Sequence, residues 1–206
     1  MIMTDPRQTR KHAEQEEDSR PLLIKLVPVT GQSHRWLYLG NGPAAQDAYL
    51  LHQHNITSAL NMAVNLQLGD LALPDGTWLR RTQIGLIDGA GNTVNHLLAG
   101  VLALDGLLGQ ASPGKRSYPP HRAANVLVHC RGGRSRSVAV LALYLYFTQQ
   151  DKFPTPETAL TFLRTLRGLD NAHPCEPLLA LIHQVAELPV KFMFGQIAQP
   201  ETGAMP

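Results

Sequence analysis

Residues 1–20 mix charges of both signs with small polar groups and hold almost no large apolar side chain, so they read as a mobile tail. Apolar runs begin immediately after. LLIKLVPV at 22–29 and RWLYLG at 35–40 have the content of two strands. Gly40, Asn41, Gly42 and Pro43 form a turn, and Pro43 suits the first turn of a helix. The segment PAAQDAYLLHQHN predicts that helix, with Ala45, Ala48, Tyr49 and Leu51 on one face. The apolar run ITSALNMAV at 56–64 predicts a buried strand. A turn signal at 74–76 precedes the next strand, TWLRRTQIGLID at 77–88, which ends at Asp88.

The second half continues the alternation. After the Gly-rich loop 89–92, residues 93–109 have helical composition with Thr93 as a candidate N-cap. Residues 110–124 are loop-like, rich in Pro and basic side chains. NVLVHC at 125–130 lacks polar alternation, as a strand covered on both faces does. A turn follows, then an apolar helix at 138–147, a helix opened by Thr155 and Pro156, and a last helix after Pro174. This order predicts an α/β fold: a central, mostly parallel sheet flanked by helices, with sites at the carboxyl ends of the strands. No repeat or long linker divides it. The expected organisation is an N-terminal tail at 1–20, one folded domain at 21–190 and a C-terminal tail at 191–206.

Composition narrows the function. The chain of 206 residues is 44% apolar and 17% charged, a globular profile. Its formal net charge is only +2, so no broad basic field points to nucleic acid, and none is expected as a partner. The polar N-terminus lacks the apolar core of a secretory signal, and no stretch approaches the roughly 18 apolar residues of a membrane span. The two cysteines, Cys130 and Cys175, do not make a disulfide framework, so a reducing, cytoplasmic setting is expected. Cys175 is open between a redox partner of Cys130 and a buried thiol. The nine histidines show no metal-ligand spacing, and no metal or other cofactor is expected.

Chemistry concentrates in His129-Cys130-Arg131-Gly132-Gly133-Arg134-Ser135-Arg136-Ser137. It lies between a predicted strand and a predicted helix. The first N–H groups of a helix have no internal partners, and the helix dipole adds positive polarity, so this turn is an anion cradle. Gly132 and Gly133 let the backbone approach an oxyanion closely. Arg136, one turn in, can grip two phosphate oxygens as a planar fork. The same field favours the thiolate of Cys130, which can attack a bound phosphorus.

HCRGGRSRS resembles the HCxxGxxR[ST] signature of the protein tyrosine phosphatases, in particular their dual-specificity branch. The resemblance extends to LYLGNGPAAQDAYLLHQHNITSALNMAVN and SVAVLALYLYFTQQDKFPTPETALTFLRTLR, and covers about residues 35–188. It implies that Cys130 is the nucleophile and that Arg136 binds phosphate. It implies a cradle from the backbone of Arg131, Gly132, Gly133, Arg134, Ser135 and Arg136. Ser137 would assist departure of the Cys130 sulfur, and His129 would orient the loop without acting as a base. It also implies a general acid on a loop after an earlier strand, for which Asp88 is the best match. Asp105, inside a predicted helix, and Asp70 and Asp75, near a turn, fit less well.

The expected substrate is a phosphorylated protein or a small phosphate ester. Arg131 and Arg134 add two cations beside the pocket, which keeps a lipid or inositol phosphate as an alternative. A binding module that holds phosphate without turnover is a third reading, disfavoured by the presence of Cys130, Arg136 and Asp88 together.

Overall fold

The computed structural model describes residues 6–112 and 114–194. A five-stranded sheet forms its centre: β1 (Leu23–Val29), β2 (Gln32–Gly40), β3 (Ile56–Ala63), β4 (Arg80–Leu86) and β5 (Asn125–His129). Their order is β1-β2-β5-β3-β4. Only the β1–β2 hairpin is antiparallel; every other pairing is parallel. The α/β architecture with a mostly parallel sheet is therefore as the sequence predicts.

Alternate side chains leave each strand for opposite layers, as the two-residue period of a strand requires. Val126 and Val128 of β5 and Leu37 and Leu39 of β2 enter the larger core, together with α3 (Val94–Gly109), α4 (Arg136–Thr148), α5 (Pro156–Arg167) and α6 (Glu176–Ala186). Leu127 and Tyr38 point to the smaller core, under α2 (Ala48–Gln53) and the segment holding Leu73 and Leu79. Helix α4 is buried on nearly every side, which explains its apolar composition. It meets α3 closely: a Cβ at Gly100 would lie 2.6 Å from the Met62 methyl and 2.9 Å from Val140. Thr93 caps α3 as expected, its hydroxyl accepting from the His96 amide. Among the described residues no helix is long and apolar enough to cross a membrane.

Three segments differ from the sequence reading. The helix expected from Pro43 is split: a short turn spans Ala44–Gln46, and Asp47 then caps α2 by accepting from the Leu50 amide at 2.9 Å. The restart changes the helical phase, so Tyr49 is turned to solvent and does not join Leu51 in the core. The strand expected at 77–88 is shorter, which leaves Asp88 in the loop beyond it. Within the segment expected to be a mobile tail, Pro6–Glu17 form a helix, α1. Its acidic residues crowd its own carboxyl end, where the helix dipole opposes them, and no basic residue in the last turn offsets them. Local sequence therefore does not announce α1; partners from the rest of the fold supply the compensation. Of the expected C-terminal tail, only residues 191–194 lie within the described part.

The loop at 110–124 is fixed at the amino-terminal end of the parallel strands. Arg35 ties its two ends by donating to the carbonyls of Leu108 and Ala124, at 2.7 and 2.8 Å. His121 bonds Ser112 and the Thr57 carbonyl, and the Trp78 amide donates to Pro120. Lys115 and Arg116 are therefore at the opposite end of the sheet from the loop 130–136.

Candidate active site

Strand β5 ends at His129, and α4 begins at Arg136. The intervening loop is shaped by contacts that turn its carbonyls outward. The Gly42 amide donates to the Arg131 carbonyl at 2.9 Å, and Arg167 donates to the Gly132 carbonyl at 3.3 Å. In a trans peptide the following N–H points the opposite way, toward the loop's centre. The Gly133 amide does so, donating to Cys130 Sγ at 3.3 Å. Gly133 has φ +67°, and a Cβ there would lie 2.7 Å from the Gly40 carbonyl oxygen. This position therefore requires glycine twice over, for its backbone and for its neighbour. Ser135, at the N-cap of α4, makes no side-chain capping bond, so the helix's first amides remain available to another acceptor.

Cys130 sits at the floor of a cavity of about 310 Å³, shared with Asn65, Asp88, Arg131, Gly132, Arg134, Ser135, Arg136 and His173. Its sulfur is 3.3 Å from Ser137 Oγ. Arg136 is buried and braced by Asn65 Oδ1 at 2.8 Å, the Leu86 carbonyl at 3.4 Å and Asp88 Oδ2 at 3.4 Å. Its Nε has no partner among the described residues. Nε with Nη2 is the edge of a guanidinium that grips two oxygens side by side. Asp88 is half exposed at the mouth, on a loop pinned by Asn92, which bonds the Ile87 amide and the Ile87 and Gly89 carbonyls. His129 is fully buried, with Nδ1 3.4 Å from the Cys130 carbonyl. Burial, with a smaller push from Arg81, drives its pKa down to about 4. The ring is neutral at physiological pH.

The residues singled out in the sequence thus converge on one cavity, with Ser137 and His129 behind it. The other candidate acids do not join them. Asp105 is half-buried in α3, where burial raises its pKa. Asp75 is held at about 2, chiefly by the Thr77 amide and also by Arg122. Cys175 is half-buried at the start of α6, and both thiols are free. Among the described residues, no cluster of His, Cys, Asp or Glu has the arrangement of a metal site.

Four contributors escaped sequence reasoning. Asn65 follows β3 and braces Arg136; Asn92 fixes the Asp88 loop; Arg167 at the end of α5 braces Gly132; and α1, with the residue after it, brings Glu14 and Asp18 to the rim and Glu17 onto Arg134 and Arg167. The asparagines stand next to predicted element ends, but nothing in the sequence says what they brace.

No protein-family model matches the chain, and no curated protein sequence does. Solved structures do match. A human DUSP28 variant aligns with a TM-score of 0.57 at 20% identity, covering 82% of this chain and 96% of its own. The Yvh1 phosphatase domain from Chaetomium thermophilum gives 0.55 at 20% identity, over 78% and 94%. A mouse putative dual specificity phosphatase complexed with zinc tungstate gives 0.53 at 22%, over 73% and 81%. With its mostly parallel sheet, its strand–loop–helix around Cys130 and these neighbours, the chain has the fold of the dual-specificity phosphatases.

Proposed function

We propose that this protein is a cysteine-dependent phosphomonoester hydrolase of the dual-specificity type, acting on phosphorylated tyrosine in proteins, with phosphoserine and phosphothreonine as further substrates. The observation that carries the reading is the single cavity with the Cys130 sulfur at its floor, the Arg136 guanidinium at its side and Asp88 at its mouth. The amides of 131–136 and Arg136 bind the phosphate oxygens. The Cys130 thiolate attacks phosphorus; a P–S bond forms as the ester P–O bond breaks. Asp88, in its acid form, passes its proton to the leaving oxygen. Asp88, now a carboxylate, takes a proton from water, whose oxygen attacks phosphorus. The P–S bond breaks, inorganic phosphate departs, and the Ser137 hydroxyl hydrogen-bonds the returning thiolate. Two unpaired thiols are in keeping with a cytoplasmic protein.

Hydrolysis of an aryl phosphate in the presence of EDTA tests the activity. Cys130→Ser abolishes turnover while phosphate binding persists; retained turnover removes the nucleophile from the scheme. Asp88→Asn slows alkyl esters by about 100-fold or more and good aryl leaving groups much less. Equal, small losses on both would assign the acid elsewhere.

A further inference from the structure

The rim of the cavity is not the cationic funnel that Arg131 and Arg134 lead one to expect. Helix α1 lies against it. Arg134 donates to Asp18 Oδ1 at 2.5 Å, to Glu17 Oε2 at 2.7 Å and to the Glu14 carbonyl at 3.5 Å, and its Nε is 4.0 Å from Glu14 Oε2. Glu17 also receives both Nη groups of Arg167, at 2.8 and 2.7 Å. Asp18 reaches Arg131 at 3.7 Å, and Glu14 reaches His173 at 3.4 Å. Arg167 holds the Glu17 carboxyl below its usual pKa through hydrogen bonding, and Arg134 adds to that. The Arg134 side chain is only 11% exposed, so it is turned into this network and away from solvent. The chain is anchored after α1 by Asn41, which accepts from the Leu22 amide and donates to the Arg20 carbonyl. Around the cavity the described carboxylates Glu14, Glu17, Asp18 and Asp88 match the guanidinium groups of Arg131, Arg134, Arg136 and Arg167 in number.

We propose that α1 and the residue that follows it set the substrate class: the carboxylates of Glu14, Glu17 and Asp18 consume the spare cations of the phosphate loop, so the site accepts one phosphate on a neutral or basic protein segment and rejects polyanions. A substrate bearing a second phosphate or flanking acids meets Glu14 and Asp18 at the mouth and finds neither Arg134 nor Arg167 available. This inference rests on the phosphatase reading for its substrates, and one arm of its test does not.

Two phosphotyrosine peptides of equal length, one with Lys flanks and one with Glu flanks, are compared on the full chain and on the triple variant Glu14→Gln, Glu17→Gln, Asp18→Asn. The wild type favours the basic peptide in kcat/KM by about tenfold or more, and the variant loses that preference. In parallel, equilibrium binding of inositol hexakisphosphate strengthens by about tenfold or more in the variant. The single change Asp18→Asn, which keeps the side chain's shape, moves both readouts the same way by a smaller factor. An unchanged peptide ratio with unchanged hexakisphosphate affinity overturns the proposal while leaving a working phosphatase in hand. If neither peptide is turned over, the phosphatase reading fails, and the binding arm alone decides whether α1 screens the arginines.

Discussion

Arg136 is held on three sides by the protein itself, and its usefulness depends on that bracing. Asn65 makes the shortest of the three contacts, from an exposed position on the loop after β3. A hydrogen bond to a charged group is worth about 1.5–3 kcal/mol, and partial exposure brings this toward the lower figure. Asn65→Ala therefore lowers kcat/KM by about tenfold, with aryl phosphate kinetics as the measurement. His129 gives a prediction in stability. Its folded pKa of about 4 lies below the ordinary histidine value of 6.5. Between those values the unfolded chain binds a proton that the folded chain does not, so stability is full above pH 6.5 and falls as the pH drops toward 4. The loss amounts to about 3 kcal/mol. His129→Asn flattens that part of a urea-midpoint-against-pH curve; the residual slope belongs in part to His121, which burial also depresses. At this scale Cys130, Arg136 and Asp88, which share one cavity, could be singled out in the sequence because the proposed chemistry restricts which side chains can serve. Asn65 and Asn92 were not, because bracing by an amide side chain depends on where two loops meet.

The loop 130–136 and helix α1 show how elements shape the site together. Gly133 faces the Gly40 carbonyl so closely that a methyl group displaces either the end of β2 or the loop itself. Gly133→Ala destabilises the protein by about 1–3 kcal/mol and reduces turnover more than this implies, because the Gly133 amide that points at the sulfur shifts. Denaturant unfolding and aryl phosphate turnover, measured on the same samples, check both parts. Strands β3 and β5 and helices α3 to α6 were readable from their apolar runs, spacing and end signals, since all of them are driven by burial. The split before α2 was harder: Asp47 sits inside an acceptable helical pattern, and only its capping bond to Leu50 shows that the chain restarts there. Helix α1 was the least readable. Little of it is apolar, and its charges are compensated by arginines more than a hundred residues away.

Across the whole molecule the two ends of the sheet are set apart. The carboxyl ends of β3, β4 and β5 carry Asn65, Asp88 and Cys130; the amino ends carry the loop 110–124. The fold class followed from the strand–helix alternation, but the side on which that loop lies depends on Arg35 and His121 meeting carbonyls distant in sequence. Neutralising Lys115 and Arg116 together therefore changes aryl phosphate kcat/KM by less than about twofold at moderate salt, where charges beyond about 10 Å are screened.

The central claim is that the Cys130 sulfur takes the phosphoryl group. Rapid acid quench of the Asp88→Asn protein during turnover, followed by peptide mass spectrometry, tests it directly. The account predicts one added HPO3 on the peptide that carries Cys130, absent from Cys130→Ser. Turnover with that peptide unmodified, or with the phosphoryl group on another residue, would contradict it.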